Sequence, residues 1–293
     1  MAEVTQRLLS LALISTPGIG GKILTRILTR SELLSVTPHE FLHYSPEVLI
    51  EEYGLKRAVA ENWSIGKEGR LEVARRLAAQ MEAQGVRLVT LADASYPALI
   101  EAIDPDPPGA LFLYGQYSLL EGRTFAVLSS RKSSEESLNL IEAAAEEGVL
   151  KGEALVAGHD TPEYQRSAVV PLRWGAPRIL VLDQGMRKVL GPDLKEEAFR
   201  TARLWRFQFD PTTDLVVATQ PPDGAYHGNS NKVRDRLVAG LARRLDIIEA
   251  SPEGNMSMLG RRALSAGRPV RVSRKVHEFE RWVEAGAAEI API

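Results

Sequence analysis

The chain has 293 residues, with 36 lysines and arginines against 38 aspartates and glutamates, a formal net charge of −2 and no cysteine. The lack of cysteine excludes disulfides, thiolate metal sites and a cysteine nucleophile, and the near-neutral charge confines any attraction for nucleic acid to a local patch. A prior of about 150 residues per domain gives two domains. The apolar run Leu8–Ile14 is far shorter than the ~20 residues that cross a bilayer, so a cytoplasmic protein with no membrane association is expected.

Residues 1–85 read as a small helical domain. Apolar positions recur at helical spacing in Leu8–Ile14, Ile23–Leu28 and Val73–Met81, punctuated by Pro17, Pro38, Pro46, Gly54 and Gly85. Between the first two helices, Thr16-Pro17-Gly18-Ile19-Gly20-Gly21-Lys22 is similar to the hairpin of a helix–hairpin–helix unit, whose glycine N–H groups can face a phosphate. A tight turn between two helices explains the same glycines. The spacing is not that of a phosphate-binding P-loop, since Ile23 stands where a Ser or Thr would meet magnesium. His39-Glu40-Phe41-Leu42-His43 matches the zinc-protease pattern H-E-x-x-H. Pro38 and Pro46 limit that helix to about two turns, and Phe41 and Leu42 suit packing, so no metal is expected there.

Residues 86–120 read as a connector, with Asp104-Pro105-Asp106-Pro107-Pro108-Gly109 at its centre. From 121 to 293 the pattern changes. Strand-like runs Phe125–Leu128, Ala154–Ala157, Ile179–Leu182, Leu215–Thr219, Asp246–Glu249 and Pro269–Val272 alternate with helical stretches near 134–147, 162–173, 193–204, 231–244, 257–266 and 277–285. This alternation predicts βαβ units, a mainly parallel sheet and an α/β, Rossmann-like domain, with ligands beyond the carboxyl ends of the strands.

The first such strand end is the sequence's clearest signal. Phe125-Ala126-Val127-Leu128 runs into Ser129-Ser130-Arg131-Lys132-Ser133-Ser134, with Ser133 and Glu136 spaced as a capping box and Gly148 closing the helix. Free N–H groups, the helix dipole, hydroxyls and a guanidinium suit an anion. Glu135 and Glu136 in the first turn suit plain capping equally well. His159-Asp160 reads either as an acid–base pair or as a loop histidine beside a helix start at Thr161-Pro162; no catalytic constellation can be assembled, and neither an enzyme nor a cofactor is expected. Residues 231–275 carry eleven lysines and arginines against four carboxylates. That segregation reads as an electrostatic footprint, with two solvated helix faces as the alternative.

These pieces, in this order, resemble the DprA/Smf DNA-processing family over residues 8–290. Tyr96-Pro97-Ala98-Leu99-Ile100 with Asp106-Pro107-Pro108 and Leu111-Phe112-Leu113-Tyr114-Gly115 looks like its "YP…L…DPP..Lf..G" segment. Ser129–Ser134 sits where the family has "GSR..S", Arg234–Leu241 is similar to "RNRIIAGLS", and Ile248-Glu249-Ala250 with Ala263–Val270 to "VEA…A...GR.V". Glu284-Ala285-Gly286-Ala287 resembles the closing turn. The resemblance implies a small helical domain joined to a Rossmann-like domain, an accessory role in DNA recombination, uptake or defence, binding of single-stranded DNA, a homodimer, and a RecA-type recombinase as partner. It points to Ser129, Ser130, Arg131, Ser133, Ser134, Gly158, Lys232, Arg234 and Arg236 as phosphate-facing residues. A nucleotide-sensing or nucleotide-processing protein, and a scaffold without ligand, are the alternatives. The glycine motif "SG.A.GID..AH" falls on Ala157–Ala168 and keeps only Gly158. Met256 and Asp183 stand where a hydroxyl and a glycine belong, so a narrowed or rebuilt pocket is expected.

Overall fold

The computed structural model describes residues 4–291. They form two compact units: one runs to Tyr96 and takes in Asp106–Leu111, the other comprises Pro97–Pro105 and the chain from Phe112 onward.

The first unit holds α1 (Gln6–Ile14), α2 (Gly21–Leu33), α3 (Pro38–Leu42), α4 (Pro46–Glu51), α5 (Arg57–Ala83) and β1 (Arg87–Thr90). Thr5, Thr37 and Ser45 supply the side-chain caps that start α1, α3 and α4. Leu9, Leu13, Ile27, Phe41, Leu49 and Trp63 fill its core. The Thr16–Lys22 hairpin turns at Gly18, whose φ of +88° favours glycine, and a Cβ on Gly21 would lie 2.5 Å from the Gly109 nitrogen. In the H-E-x-x-H stretch, Glu40 closes a capping box with Thr37, and that backbone hydrogen bond lowers its pKa. The segment caps and packs a five-residue helix.

The second unit is the expected α/β domain. It contains α6 (Ala98–Glu101), β2 (Ala110–Gly115) from Phe112 on, β3 (Thr124–Ser129), α7 (Glu135–Leu150), β4 (Ala154–Ala157), α8 (Pro162–Trp174), β5 (Arg178–Leu182) and α9 (Met186–Leu190). Then follow β6 (Leu215–Ala218), α10 (Ser230–Leu241), β7 (Arg244–Glu249), α11 (Asn255–Ser265), β8 (Val270–Val272), α12 (Phe279–Glu284) and β9 (Ala288–Glu289). Strand order is β2-β6-β5-β4-β3-β7-β8-β9. All pairings are parallel except β2 with β6. The order reverses at β3, whose neighbours are β4 and β7, so the topological switch lies where the β3–α7 and β7–α11 turns meet. The central strands are buried along their whole length and rich in Val, Leu and Ile, as a sheet covered on both faces requires.

Four local readings change. Ser134, not Ser133, caps α7, accepting from the Ser137 N–H. Gly148 does not end α7, which runs on to Leu150; it lets the helix pass the Phe125 ring, where a Cβ would approach to 2.2 Å. The helix expected over 193–204 is absent: α9 is short and a 3-10 turn at Arg200–Leu204 follows. Residues 110–115, read as connector, form β2.

Candidate functional site

The β3–α7 turn is spent largely on its own geometry. Ser129 and Ser133 hydroxyls lie 2.9 Å apart, and the Ser133 hydroxyl donates to the Ser130 carbonyl at 3.0 Å. The Ser130 N–H donates to the Glu249 carbonyl at 2.8 Å, which ties the turn to the end of β7. Lys132 adopts φ +66°, a strained conformation for a lysine.

Two donors at the switch are taken by the chain's own carboxylates. The Ser133 N–H, at the start of α7, donates to Glu163 Oε1 at 3.1 Å, and Glu163 is buried. The Ser137 hydroxyl donates to the Glu249 carboxylate. A helix N-terminus favours negative charge whatever its source, and here α8 and β7 provide it.

Beneath this edge lies a charged cluster. Arg234, in α10, is 1% exposed. Its guanidinium pairs with the Asp160 carboxylate, donates to Asp235 Oδ1 at 2.8 Å and stacks over the Tyr164 ring at 4.7 Å. Tyr164 donates its hydroxyl to Asp235 Oδ1 at 2.9 Å, and the Asn255 amide donates to Asp235 Oδ2 at 2.9 Å. Burial, reinforced by Asp235, pushes the Tyr164 phenol well above its ordinary pKa. Burial pulls the Arg234 guanidinium down, against the opposing pull of Asp235. Gly158 makes the cluster possible: a Cβ there would lie 2.7 Å from both Arg234 Nη1 and Tyr164 Cδ2. The next strand end is closed too, since His159 Nε2 meets Asp183 Oδ1 at 3.1 Å and both are buried. Asp160 thus serves Arg234, and His159 takes its partner from the residue that follows β5.

The charge segregation of residues 231–275 mostly disappears in three dimensions. Arg236 donates to Asp104 at 2.8 Å. Arg244 and Arg271 share Asp246 and also reach Glu153 and Glu147. Arg274 pairs with Glu289 and Lys275 with Glu136, while Arg243 and Arg268 are taken up by backbone carbonyls. Apart from Asp246 and the carbonyls that take Arg268, the partners come from outside the basic stretch, namely Asp104, Glu136, Glu147, Glu153 and Glu289, so a local count could not see them. Lys232 remains exposed at the first turn of α10, which has no side-chain cap and no acidic residue in its first turn. Arg131 and Lys132 are exposed on the β3–α7 turn. Arg131 sits near enough to Tyr164 and Arg234 to act on both electrostatically. Among the described residues none of these three side chains has a carboxylate partner. The structure therefore gathers Ser129, Ser130, Ser133, Ser134, Arg131, Gly158 and Arg234 at one edge. It leaves Arg131 and Lys232 free, and it spends Arg234 and Arg236 on internal pairs. Lys132 is a further exposed cation on this edge; its sequence signal is only its place beside Arg131.

Comparison with known proteins fits this layout. The sequence model of the family "DNA recombination-mediator protein A" matches residues 87–287. DNA processing protein DprA of Bacillus subtilis is 22% identical over 196 residues, an alignment spanning 67% of this chain and 63% of that protein. The structure superposes on DNA processing protein A of Streptococcus pneumoniae with a TM-score of 0.69 at 19% identity, covering 97% of this chain and 92% of that one. With DNA processing protein A of Helicobacter pylori, described for its single-stranded DNA binding mode, the TM-score is 0.52 at 18% identity over 70% of this chain and 92% of that one. The Rossmann-like fold implied by the sequence motifs is thus shared with both. Since the family model covers more than half of its length, this chain belongs to the DNA recombination-mediator protein A family of DNA-processing proteins.

Proposed function

We propose that the protein is a non-catalytic accessory factor that binds single-stranded DNA along the rim of the carboxyl edge of its sheet. On this reading Arg131, Lys132 and Lys232 meet phosphates. The observation that carries it is that these three cations stay exposed and unpaired while nearly every other cation from 231 to 275 is tied to a carboxylate or a carbonyl. The uncapped N-terminus of α10 beside Lys232 adds partial positive charge. Ser130, Ser133 and Ser134 hold the turn that carries Arg131, and Arg234 with Arg236 fastens α10 from below. DNA reaches the rim rather than the interior of the edge, where Glu163 and Glu249 already occupy the Ser133 N–H and the Ser137 hydroxyl. By kinship with its family the protein acts in the cytoplasm as a homodimer that serves a RecA-type recombinase.

The test is a titration of a labelled oligonucleotide at several salt concentrations. Each phosphate contact contributes about −0.7 to the log–log slope on single strands. Arg131→Ala with Lys132→Ala and Lys232→Ala is therefore expected to flatten the slope by about 2. An unchanged slope, or no binding at low salt, refutes the reading.

A further inference from the structure

The long β5-to-β6 crossover is fixed from within and displays aromatic side chains outward. Arg178, at the start of β5, donates to Asp214 at 2.8 Å and to Glu197 at 2.5 Å, and all three residues are fully buried. Arg206 joins them, donating to Glu197 at 2.8 Å and pairing with Asp214. The residues on either side of Arg206 face solvent: Trp205 is 52% exposed and Phe207 80%, with Trp174 at the end of α8 at 53%. The Arg173 guanidinium stacks over the Trp205 ring at 5.1 Å, which brings the end of α8 beside the crossover. A collapsed loop would hide such side chains; an anchored one presents them. The stretch from Phe199 to Phe209 interleaves four aromatics with three arginines and contains no carboxylate. Arg200 is exposed there and has no ion-pair partner among the described residues.

We propose that this face is a second contact surface for single-stranded nucleic acid, on which bases stack against Trp205, Phe207 and Trp174 while Arg173 and Arg200 meet phosphates. The inference rests on the DNA-binding reading above and extends it to a part of the molecule remote in sequence from the rim. Interleaved aromatics and cations are the chemistry of a sequence-tolerant single-strand platform, because every base has a π-face and every nucleotide a phosphate. Residues 199–209 contribute only cations to this face, and the carboxylates beside it are engaged, Glu146 accepting from the Trp174 indole N–H at 3.0 Å, Glu142 pairing with Arg173 and Glu196 with Arg203; the cations of the segment favour a polyanion over a protein partner. A path also leads there. A groove of about 280 Å³ follows α8 from Pro162, at the carboxyl edge, past Arg166 and Val169 to Arg173 and Thr201. Arg166 and Arg173 lie seven residues apart, hence on one face of the helix. Both pair with Glu142 of α7, and Arg166 also with Glu135; such partly exposed pairs exchange partners at little cost. The 13 residues of α8 span about 20 Å, within reach of a bound strand of ~4–16 nucleotides.

The test uses the full chain and a labelled oligothymidylate. Trp205→Ala with Phe207→Ala is expected to raise Kd at least about fivefold per ring removed, the low end for a base stacked on an aromatic, with the salt slope unchanged. Trp174→Phe with Trp205→Phe keeps the stacking surface: Kd should stay within about threefold of wild type while quenching of intrinsic tryptophan fluorescence by the oligonucleotide disappears. This second variant also decides the matter if the alanine variant fails to fold. The proposal is overturned if the alanine variant binds like wild type, if quenching survives in the phenylalanine variant, or if the alanine variant changes only the mass seen by light scattering, which would mark a protein interface. Failure of the rim reading alone looks different: the Arg131, Lys132 and Lys232 variant keeps its slope while the aromatic variant still loses affinity.

Discussion

Arg234 illustrates how one side chain changes meaning between the sequence and the fold. As a sequence feature it is a cation near a helix start, one of several that suggest a phosphate site. In the structure it is a buried hub between Asp160 and Asp235, lying on Tyr164. Removing a buried cation leaves its carboxylates uncompensated, so Arg234→Ala is expected to cost about 3–5 kcal/mol in urea denaturation. If the same guanidinium were a free phosphate ligand, stability would hardly change. Gly158→Ala is the complementary probe. Its Cβ would press on both Arg234 and Tyr164, and overpacking of this kind costs about 1–3 kcal/mol. Neither contact is visible in the sequence, because residues 158, 164 and 234 meet only after two crossovers. The free cations Arg131 and Lys132 were legible as part of the turn itself; what sequence could not supply was that their basic neighbours would be neutralised.

Elements in the second unit are tied together by ion pairs more than the near-neutral composition suggests. Arg271 on β8 donates to both carboxylate oxygens of Asp246 on β7 at 2.7 Å, and reaches Glu147 on α7 at 2.8 Å. The Arg271 hydrogen bond holds the Glu147 carboxyl at about 2, below its ordinary 4.5, and the Asp246 hydrogen bond, helped by Glu147, raises the pKa of Arg271 against the effect of burial. A carboxyl whose folded pKa is depressed contributes stability above its unfolded pKa and loses it as pH falls through the folded one. The contribution of Glu147 is thus present above pH 4.5 and lost between about 4.5 and 2. Because Glu147 is partly exposed, the effect is small, below about 1 kcal/mol. Glu147→Gln should lie slightly below wild type in urea midpoint at pH 6, and the two should converge as pH falls across that window; a constant gap would show that the ion pair is not its source. The strands themselves were readable because central parallel strands are continuous apolar runs. The 3-10 turn in the β5-to-β6 crossover was not, since its conformation is imposed by the buried Arg178 cluster rather than by local propensity.

For the molecule as a whole, the switch point decides what kind of ligand fits. A Rossmann-like edge ordinarily offers helix N–H groups to a phosphate; here Glu163 takes the Ser133 N–H just before α7, and Glu249 takes the Ser137 hydroxyl in its first turn. Free nucleotides are therefore expected to give no thermal shift, whereas a nucleotide bound at ~100 Kd would add about 2.7 kcal/mol. A clear rise in Tm with any member of a nucleotide panel would contradict that expectation and revive a nucleotide-binding role. Among the described residues no helix is long and apolar enough to cross a membrane. By itself the sequence determined the alternation of strands and helices, the helical character of the N-terminal region, the position of the β3–α7 turn and the family, because periodicity, capping and short motifs are local and survive 22% identity. Only the tertiary structure decided which charges are free, which pockets are filled and which aromatics face solvent, because ion pairs and burial join residues far apart in the chain.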